Sequence, residues 1–292
     1  MLKKIKLKCI ITVCYFLKNE YFYLMQQSNK IINRDQVTSN RIFDNRSLEK
    51  DYPTVIPILK KGIRILDVGC GTGAISKGIA DLIGDQGRVI GIDNTEKFIN
   101  SGKESYGETK NLQLMNTDLF NFNTEEKFDV IVSARTLQWL TNPKDAIVKM
   151  KSLLKPGGQL SVLDYNHENL EWDPLPPPSM QLYYQSFLRW RSQSGMNNHI
   201  SEDLVGYFKE AGLGSIESFN SNETYKKGED DFLEKIGIWS KVALLNQVVE
   251  EGYISEKLRR KAIEQYDRWC TTDAQQMIMK LKEVRGRNND EG

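Results

Sequence analysis

The chain has 292 residues, of which 39% are hydrophobic and 27% charged. That composition fits one sizeable globular domain or a domain with an elaborated cap, and it excludes a disordered or collagen-like chain. Forty Lys and Arg against 39 Asp and Glu leave a formal charge of +1, too weak a field to hold a polyanion, so nucleic acid is not the expected partner.

Residues 1–24 stand apart. Lys3, Lys4, Lys6 and Lys8 precede an apolar run from Cys9 to Leu17, far shorter than the roughly 20 residues that span a bilayer, so no stable membrane span is expected. The pattern has the charged and apolar parts of a signal peptide but no small-residue cleavage site after them. Met25 offers an alternative start, and a wrongly chosen start is favoured over a membrane-seeking extension or a targeting signal. The domain is therefore expected over 25–292, in the cytoplasm.

From Gly62 to Tyr165, short aliphatic runs alternate with amphipathic stretches, as a parallel sheet covered by helices requires. Strands are expected at Ile63–Val68, Arg88–Ile92, Leu112–Met115, Phe128–Val132 and Gln159–Tyr165. Helices are expected at Ala74–Ile83, Thr95–Ser101 and Pro143–Leu154, the last stopped by Lys155-Pro156-Gly157-Gly158. After Tyr165 the alternation breaks at Pro174, Pro176, Pro177 and Pro178, expected to form a stiff, extended segment outside any helix or central strand. Met180, Tyr183, Tyr184, Phe187, Trp190 and Arg191 then recur at helical spacing. A helix at Ser201–Ala211, a strand at Ser215–Tyr225, helices at Asp230–Val249 and Ser255–Trp269 and a strand at Gln276–Val284 complete the reading. Insertions at about 167–200 and 226–275 are expected to form a helical cap.

The strongest signal is the strand, glycine loop and helix start in Ile65-Leu66-Asp67-Val68-Gly69-Cys70-Gly71-Thr72-Gly73-Ala74. Glycines there let the backbone turn tightly and a ligand approach closely. A dinucleotide also fits a bare glycine pattern, but Asp67 at the strand end would repel a pyrophosphate and attract an ammonium or sulfonium. Asp93 ends the next strand at the spacing of a ribose-binding carboxylate. Asp118 follows the third, placed to accept from an adenine amine. Three acids at three strand ends describe adenine, ribose and an amino-acid-like cation.

The runs LDVGCGTG (66–73), GIDNT (91–95), NTDLF (116–120), FDVIVSARTLQWL (128–140) and LLKPGGQLSVLDY (153–165) resemble, in order, the motifs of class I S-adenosylmethionine-dependent methyltransferases of the small-molecule type. The resemblance implies a Rossmann-like α/β fold with a doubly wound, mostly parallel seven-stranded sheet in the order 3-2-1-4-5-7-6, the last strand antiparallel. It implies S-adenosylmethionine as cofactor, held by Asp67, Gly69, Cys70, Gly71, Gly73, Asp93, Asn94, Asp118, Leu119 and Ser133. The LQW at 137–139 is similar to a carboxyl-methylating subgroup and tilts the expectation toward oxygen. Ser133-Ala134-Arg135 stands where amino-methylating DNA enzymes carry an aromatic-proline motif.

His167, just past the fifth strand, is the candidate base if the acceptor carries a proton. Trp139, Tyr165, Tyr183 and Trp190 are candidates to wall the acceptor pocket, with ordinary core packing the bland alternative. For Arg189 and Arg191 a solvated side chain is the more economical reading beside bidentate binding of a substrate carboxylate; the charged residues of the C-terminal helices, Arg259 among them, read as solvated, and Ser201 as a helix cap. The cysteines Cys9, Cys14, Cys70 and Cys270 show no CxxC spacing, and His167 and His199 are the only histidines; no metal is expected. The expected function is methyl transfer to a small molecule; the alternative is a non-catalytic cofactor-binding partner or sensor. Acceptor identity and oligomeric state have no signature in the chain.

Overall fold

The computed structural model describes residues 46–290, so the expectations for residues 1–24 lie outside the described residues. A short helix α1 (Leu48–Asp51) and a 3-10 turn (Pro53–Ile58) lead into strand β1 (Arg64–Val68). Then follow α2 (Ala74–Ile83), β2 (Arg88–Asp93), α3 (Glu96–Tyr106), β3 (Leu112–Asn116), β4 (Phe128–Ala134), a 3-10 turn (Leu137–Trp139) and α4 (Pro143–Leu153). The second half comprises β5 (Leu154–Asp173), α5 (Pro178–Gln193), α6 (Ile200–Glu210), β6 (Leu213–Asn220) and β7 (Glu223–Lys226). It ends with α7 (Phe232–Ile236), α8 (Ile238–Ala243), α9 (Gln247–Glu250), α10 (Glu256–Thr272) and β8 (Gln276–Asn288).

The strands form one sheet in the order β3-β2-β1-β4-β5-β8-β6, with β7 also pairing β8. Neighbours from β3 to β5 run parallel, and β8 is antiparallel to β5, β6 and β7. This is the expected order with one added strand, because Ser215–Tyr225 divides into β6 and β7 with both segments paired to β8.

Period-two burial gives the sheet two apolar faces. Ile65, Val130, Val132 and Leu163 share one with Ile75, Ile79 and Ile83 of α2 and with Tyr52. Leu66, Ile90, Ile131, Leu160 and Val162 share the other with Ile147 of α4 and Leu204 of α6. Each fully buried aliphatic side chain stabilises the fold by roughly 1.5–3 kcal/mol. In α2 the buried stripe follows helical spacing, and Gly84 with φ +71° closes the helix.

Three local expectations change. The fifth strand does not stop at Tyr165: it continues to Asp173 because Glu171, Trp172 and Asp173 find partners in Ile278, Met277 and Gln276 of β8. The first insertion therefore begins as strand, and His167 lies within it. The single helix expected over Asp230–Val249 is three short helices, α7 to α9, interrupted at Gly237 and at 244–246. Pro178 is the first residue of α5, where proline costs no hydrogen bond. Helices α5, α8 and α10 share an aromatic core with Trp172, in which Tyr183, Trp190, Trp239 and Tyr266 are fully buried.

Candidate functional site

The loop after β1 is fixed by its own backbone. The N–H groups of Gly69 and Cys70 both donate to the Ile92 carbonyl, at 2.8 and 3.0 Å, and Gly73 N–H donates to the Cys70 carbonyl. Gly69 has φ +74°, and a Cβ there would sit 2.1 Å from Oγ1 of Thr136. Only glycine meets both demands. The loop thus presses against the turn that leaves β4, which couples the two strand ends.

Asp67 is 3% exposed and accepts from Ser76 Oγ of α2 at 2.5 Å. Burial pushes its carboxyl up to about 6, the Ser76 hydrogen bond opposes the rise, and the charge of Asp93 adds to it. Asp93 uses both oxygens: Oδ2 accepts from Gly71 N–H at 3.0 Å and Oδ1 from Thr95 N–H at 2.8 Å. A carboxylate has about four acceptor sites, so two remain for hydroxyl donors. The third strand end is tied to the same place, since Thr117 N–H and Asn116 Nδ2 donate to the Asp93 carbonyl at 3.0 and 3.1 Å. Asp118 is half-buried and caps its own turn by accepting from Phe120 N–H. Leu119 is buried and Asn94 exposed.

Ser133 is fully buried and donates to the Val68 carbonyl at 2.9 Å, pinning β4 to β1. Cys70 stays a thiol, because burial and the charges of Asp67 and Asp93 push its pKa well up. Oγ1 of Thr72 is buried in the same loop with no hydrogen-bond partner. A glycine cradle with an orphaned hydroxyl, one buried acid beside it and a second with open lone pairs fits a nucleoside that carries a cationic amino-acid tail.

Beyond β4 the structure joins Tyr165 to Arg135 and Glu223, whose roles the sequence pattern did not single out. Arg135 is buried with φ +57°, an uncommon conformation for a residue with a side chain. Its Nε donates to Tyr165 Oη at 2.9 Å, and its Nη2 bonds Glu223 of β7 and the Asp51 carbonyl of α1. Tyr225 Oη also donates to Glu223, at 2.6 Å. Burial opposes the Glu223 charge, but the Arg135 guanidinium and these hydrogen bonds outweigh it and hold the carboxyl below its ordinary value. Burial and the Glu223 charge push Tyr165 up to about 12, so it is a neutral phenol. This network spans the strand end from α1 to β7.

Arg191 is fully buried, not solvated. Its Nε donates to Asn198 Oδ1 and its Nη2 to the Gln138 carbonyl, both at 2.8 Å, while its guanidinium lies 4.7 Å from the Trp139 ring centroid. Burial lowers it to about 10, against the attraction of Asp164. His167 is buried beside it, and burial and the Arg191 charge hold the imidazole well below its ordinary pKa. Tyr183 and Trp190 are interior residues of the cap, bonded to the Val242 carbonyl and to Glu251 respectively. His199, not Ser201, is the N-cap residue of α6. Arg259 is also buried, bonded to Glu256 and the Ala243 carbonyl. Among the described residues there is no group of His, Cys, Asp and Glu placed to hold a metal ion, and no helix is long and apolar enough to cross a membrane.

A family model described as a methyltransferase domain matches residues 59–212, just over half of the chain. The demethylmenaquinone methyltransferase of Staphylococcus epidermidis is 28% identical over 173 residues, which cover 54% of this chain and 70% of that protein. Among solved structures, the YcgJ protein of Bacillus subtilis superposes with a TM-score of 0.54 at 16% identity, covering 82% of this chain and 98% of that one. Haemonchus contortus phosphoethanolamine N-methyltransferase 2, in complex with phosphomonomethylethanolamine and S-adenosylhomocysteine, gives a TM-score of 0.51 at 16% identity and covers 87% of this chain. The chain spans about half the length of that structure, 53%. The two structural likenesses concern the fold.

Proposed function

We propose that this chain, which belongs to the class I S-adenosylmethionine-dependent methyltransferases, transfers the methyl group to a small-molecule acceptor, with oxygen as the favoured receiving atom. The observation that carries the reading is the pairing of buried Asp67 and Asp93 on either side of the glycine loop. The cofactor supplies a sulfonium whose methyl group leaves by in-line displacement, so the protein's task is alignment and exclusion of water.

Asp67, set by Ser76, would hold the amino group. The two open acceptor positions of Asp93 would take the ribose hydroxyls, and Asp118 and Leu119 the adenine. Gly69, Cys70, Gly71 and Gly73 would let the tail pass close to the backbone, with Asn94 beside Asp93 and Ser133 beneath the cofactor at the end of β4. Tyr165, inside β5, and Trp139, in the 3-10 turn after β4, would wall the acceptor pocket beneath the cap, with His167 as the base for a protonated acceptor. The domain is assigned to 25–292 and to the cytoplasm.

The relatives differ in the acceptors that their names state, so nitrogen and carbon stay alternatives to oxygen. Titration calorimetry with S-adenosylmethionine and S-adenosylhomocysteine tests the cofactor assignment. A screen of small acceptors for S-adenosylhomocysteine release tests turnover. Tight binding with no release from any acceptor would favour the sensor reading.

A further inference from the structure

His167 is held from three directions. Its backbone N–H donates to the Asn198 carbonyl at 2.7 Å, and its own carbonyl accepts from Tyr184 Oη at 2.6 Å. Its ring stacks on Tyr165 at 5.1 Å between centroids and meets Phe187 and Trp239 edge-on at 6.4 and 6.0 Å. Its Nε2 lies 2.6 Å from Oε1 of Gln138.

Gln138, itself 3% exposed, is in turn fully committed. Its backbone N–H donates to Asp164 Oδ2 at 3.1 Å, its carbonyl accepts from Arg191 Nη2 at 2.8 Å, and its side-chain Nε2 donates to the Arg135 carbonyl at 3.1 Å. The last bond decides which way the amide faces. Turned over, Oε1 would oppose the Arg135 carbonyl, two acceptors with no proton between them. An amide oxygen only accepts, so Nε2 of His167 carries the proton and the basic lone pair sits on Nδ1. The 3-10 turn that holds Gln138 follows directly on Thr136, whose hydroxyl donates to the Gly69 carbonyl at 3.4 Å. The pair is thereby tied to the glycine loop.

We propose that Gln138 is a positioning residue that locks His167 as the neutral Nε2–H tautomer, so that Nδ1 takes the proton from a protic acceptor such as a hydroxyl. This rests on the methyl-transfer reading and narrows its acceptor class. The acceptor oxygen bonds to the methyl carbon, and the carbon–sulfur bond breaks with its electron pair left on sulfur. The hydroxyl proton passes to Nδ1, and the imidazolium returns it to water after release. The groups facing the ring are Arg191 and Tyr184 from α5, Tyr165 from β5 and Asp164 through the Gln138 N–H. Arg191 disfavours a second proton on the ring, which keeps the imidazole in its accepting form.

With two histidines in the chain, long-range proton–nitrogen correlation spectra of the histidine-labelled full chain, with S-adenosylhomocysteine added, resolve both rings. The expected result is a His167 signal that keeps the Nε2–H pattern; Gln138→Leu should convert it to a tautomer mixture. An Nδ1–H pattern in the wild type would overturn the proposal.

The second arm measures methyl transfer to matched panels of small phenols and small carboxylic acids. Transfer to phenols is expected, lost in His167→Ala. In Gln138→Glu a carboxylate faces Nε2–H and favours the imidazolium, so the acid limb of the rate should move up by about one pH unit. The KM for S-adenosylmethionine should stay within about twofold, as expected for a change remote from ground-state cofactor binding. Transfer to carboxylic acids alone or to neither panel, or a Gln138→Glu rate lowered at every pH with its limb unmoved, overturns the assignment. Failure of S-adenosylhomocysteine to bind would instead remove the methyl-transfer reading, and the tautomer spectrum without ligand would still decide the role of Gln138.

Discussion

Asp93→Asn is a near-isosteric change with a large expected effect. Both carboxylate oxygens accept backbone N–H groups, from Gly71 at 3.0 Å and Thr95 at 2.8 Å. An asparagine has one oxygen and one NH2 group, so it must turn a donor toward one of those donors. One loop hydrogen bond is lost, one buried N–H is left without an acceptor, and a ribose hydroxyl loses its charged partner. At about 1 kcal/mol for the loop bond and about 2 kcal/mol for the charge-assisted one, affinity should fall by about 3 kcal/mol, roughly 150-fold in Kd. Calorimetric titration with S-adenosylhomocysteine near neutral pH measures this directly, with Asn94→Ala as the control on an exposed neighbour. The same substitution removes a charge that raises Asp67, so the Asp67 carboxyl should titrate lower in the variant. A Kd within about threefold of wild type would refute the assignment of Asp93 to the ribose.

Asp67, pushed up to about 6 from its ordinary 3.8, makes the native state bind more protons than the unfolded chain between those values. Stability of the free protein should therefore fall as pH rises through that window, by about 3 kcal/mol from this residue, and Asp67→Asn should remove that part of the slope in urea titrations at successive pH values. S-adenosylmethionine affinity should conversely weaken as pH drops through about 6, since a protonated Asp67 no longer attracts an ammonium. Gly69→Ala forces a side chain into a left-handed residue and against Thr136; a loss of about 3 kcal/mol and of cofactor binding is expected. Gly157→Ala, with similar φ but open space, should cost only about 1 kcal/mol and leave binding intact. Glu223→Ala leaves the buried Arg135 guanidinium with only Asp51, at 3.9 Å, as a carboxylate partner, and chemical denaturation should show a loss of about 3 kcal/mol.

The glycine loop and its acids were legible because their chemistry is local. Asp67, the three glycines and Asp93 fall within 27 consecutive residues of strand, turn, helix and strand, and each type is required by backbone geometry or by ligand charge. The alternation of strand and helix was legible for the same reason, since each βαβ unit is continuous in the chain, whereas the sheet order came only through the resemblance of the motif runs to a known family. Glu223 had no such signature: its partner Arg135 lies 88 residues away, and only the pairing of β7 with β8 carries it back to the strand end. Arg191 was misread because a cation on an amphipathic stretch resembles a solvated one until the acceptors supplied by Gln138 and Asn198 are in place. The continuation of β5 past Tyr165 likewise depends on β8, more than 100 residues downstream, and local periodicity could not report it.

Incubation of the chain with S-adenosylmethionine carrying a labelled methyl group, in the presence of a cell extract separated into small-molecule, protein and nucleic-acid fractions, tests the central claim most directly. The account predicts that label moves to the small-molecule fraction, in step with S-adenosylhomocysteine release, and that Asp93→Asn abolishes the transfer at low cofactor concentration. Label recovered in protein or nucleic acid instead, or tight cofactor binding with no transfer to any fraction, would contradict it.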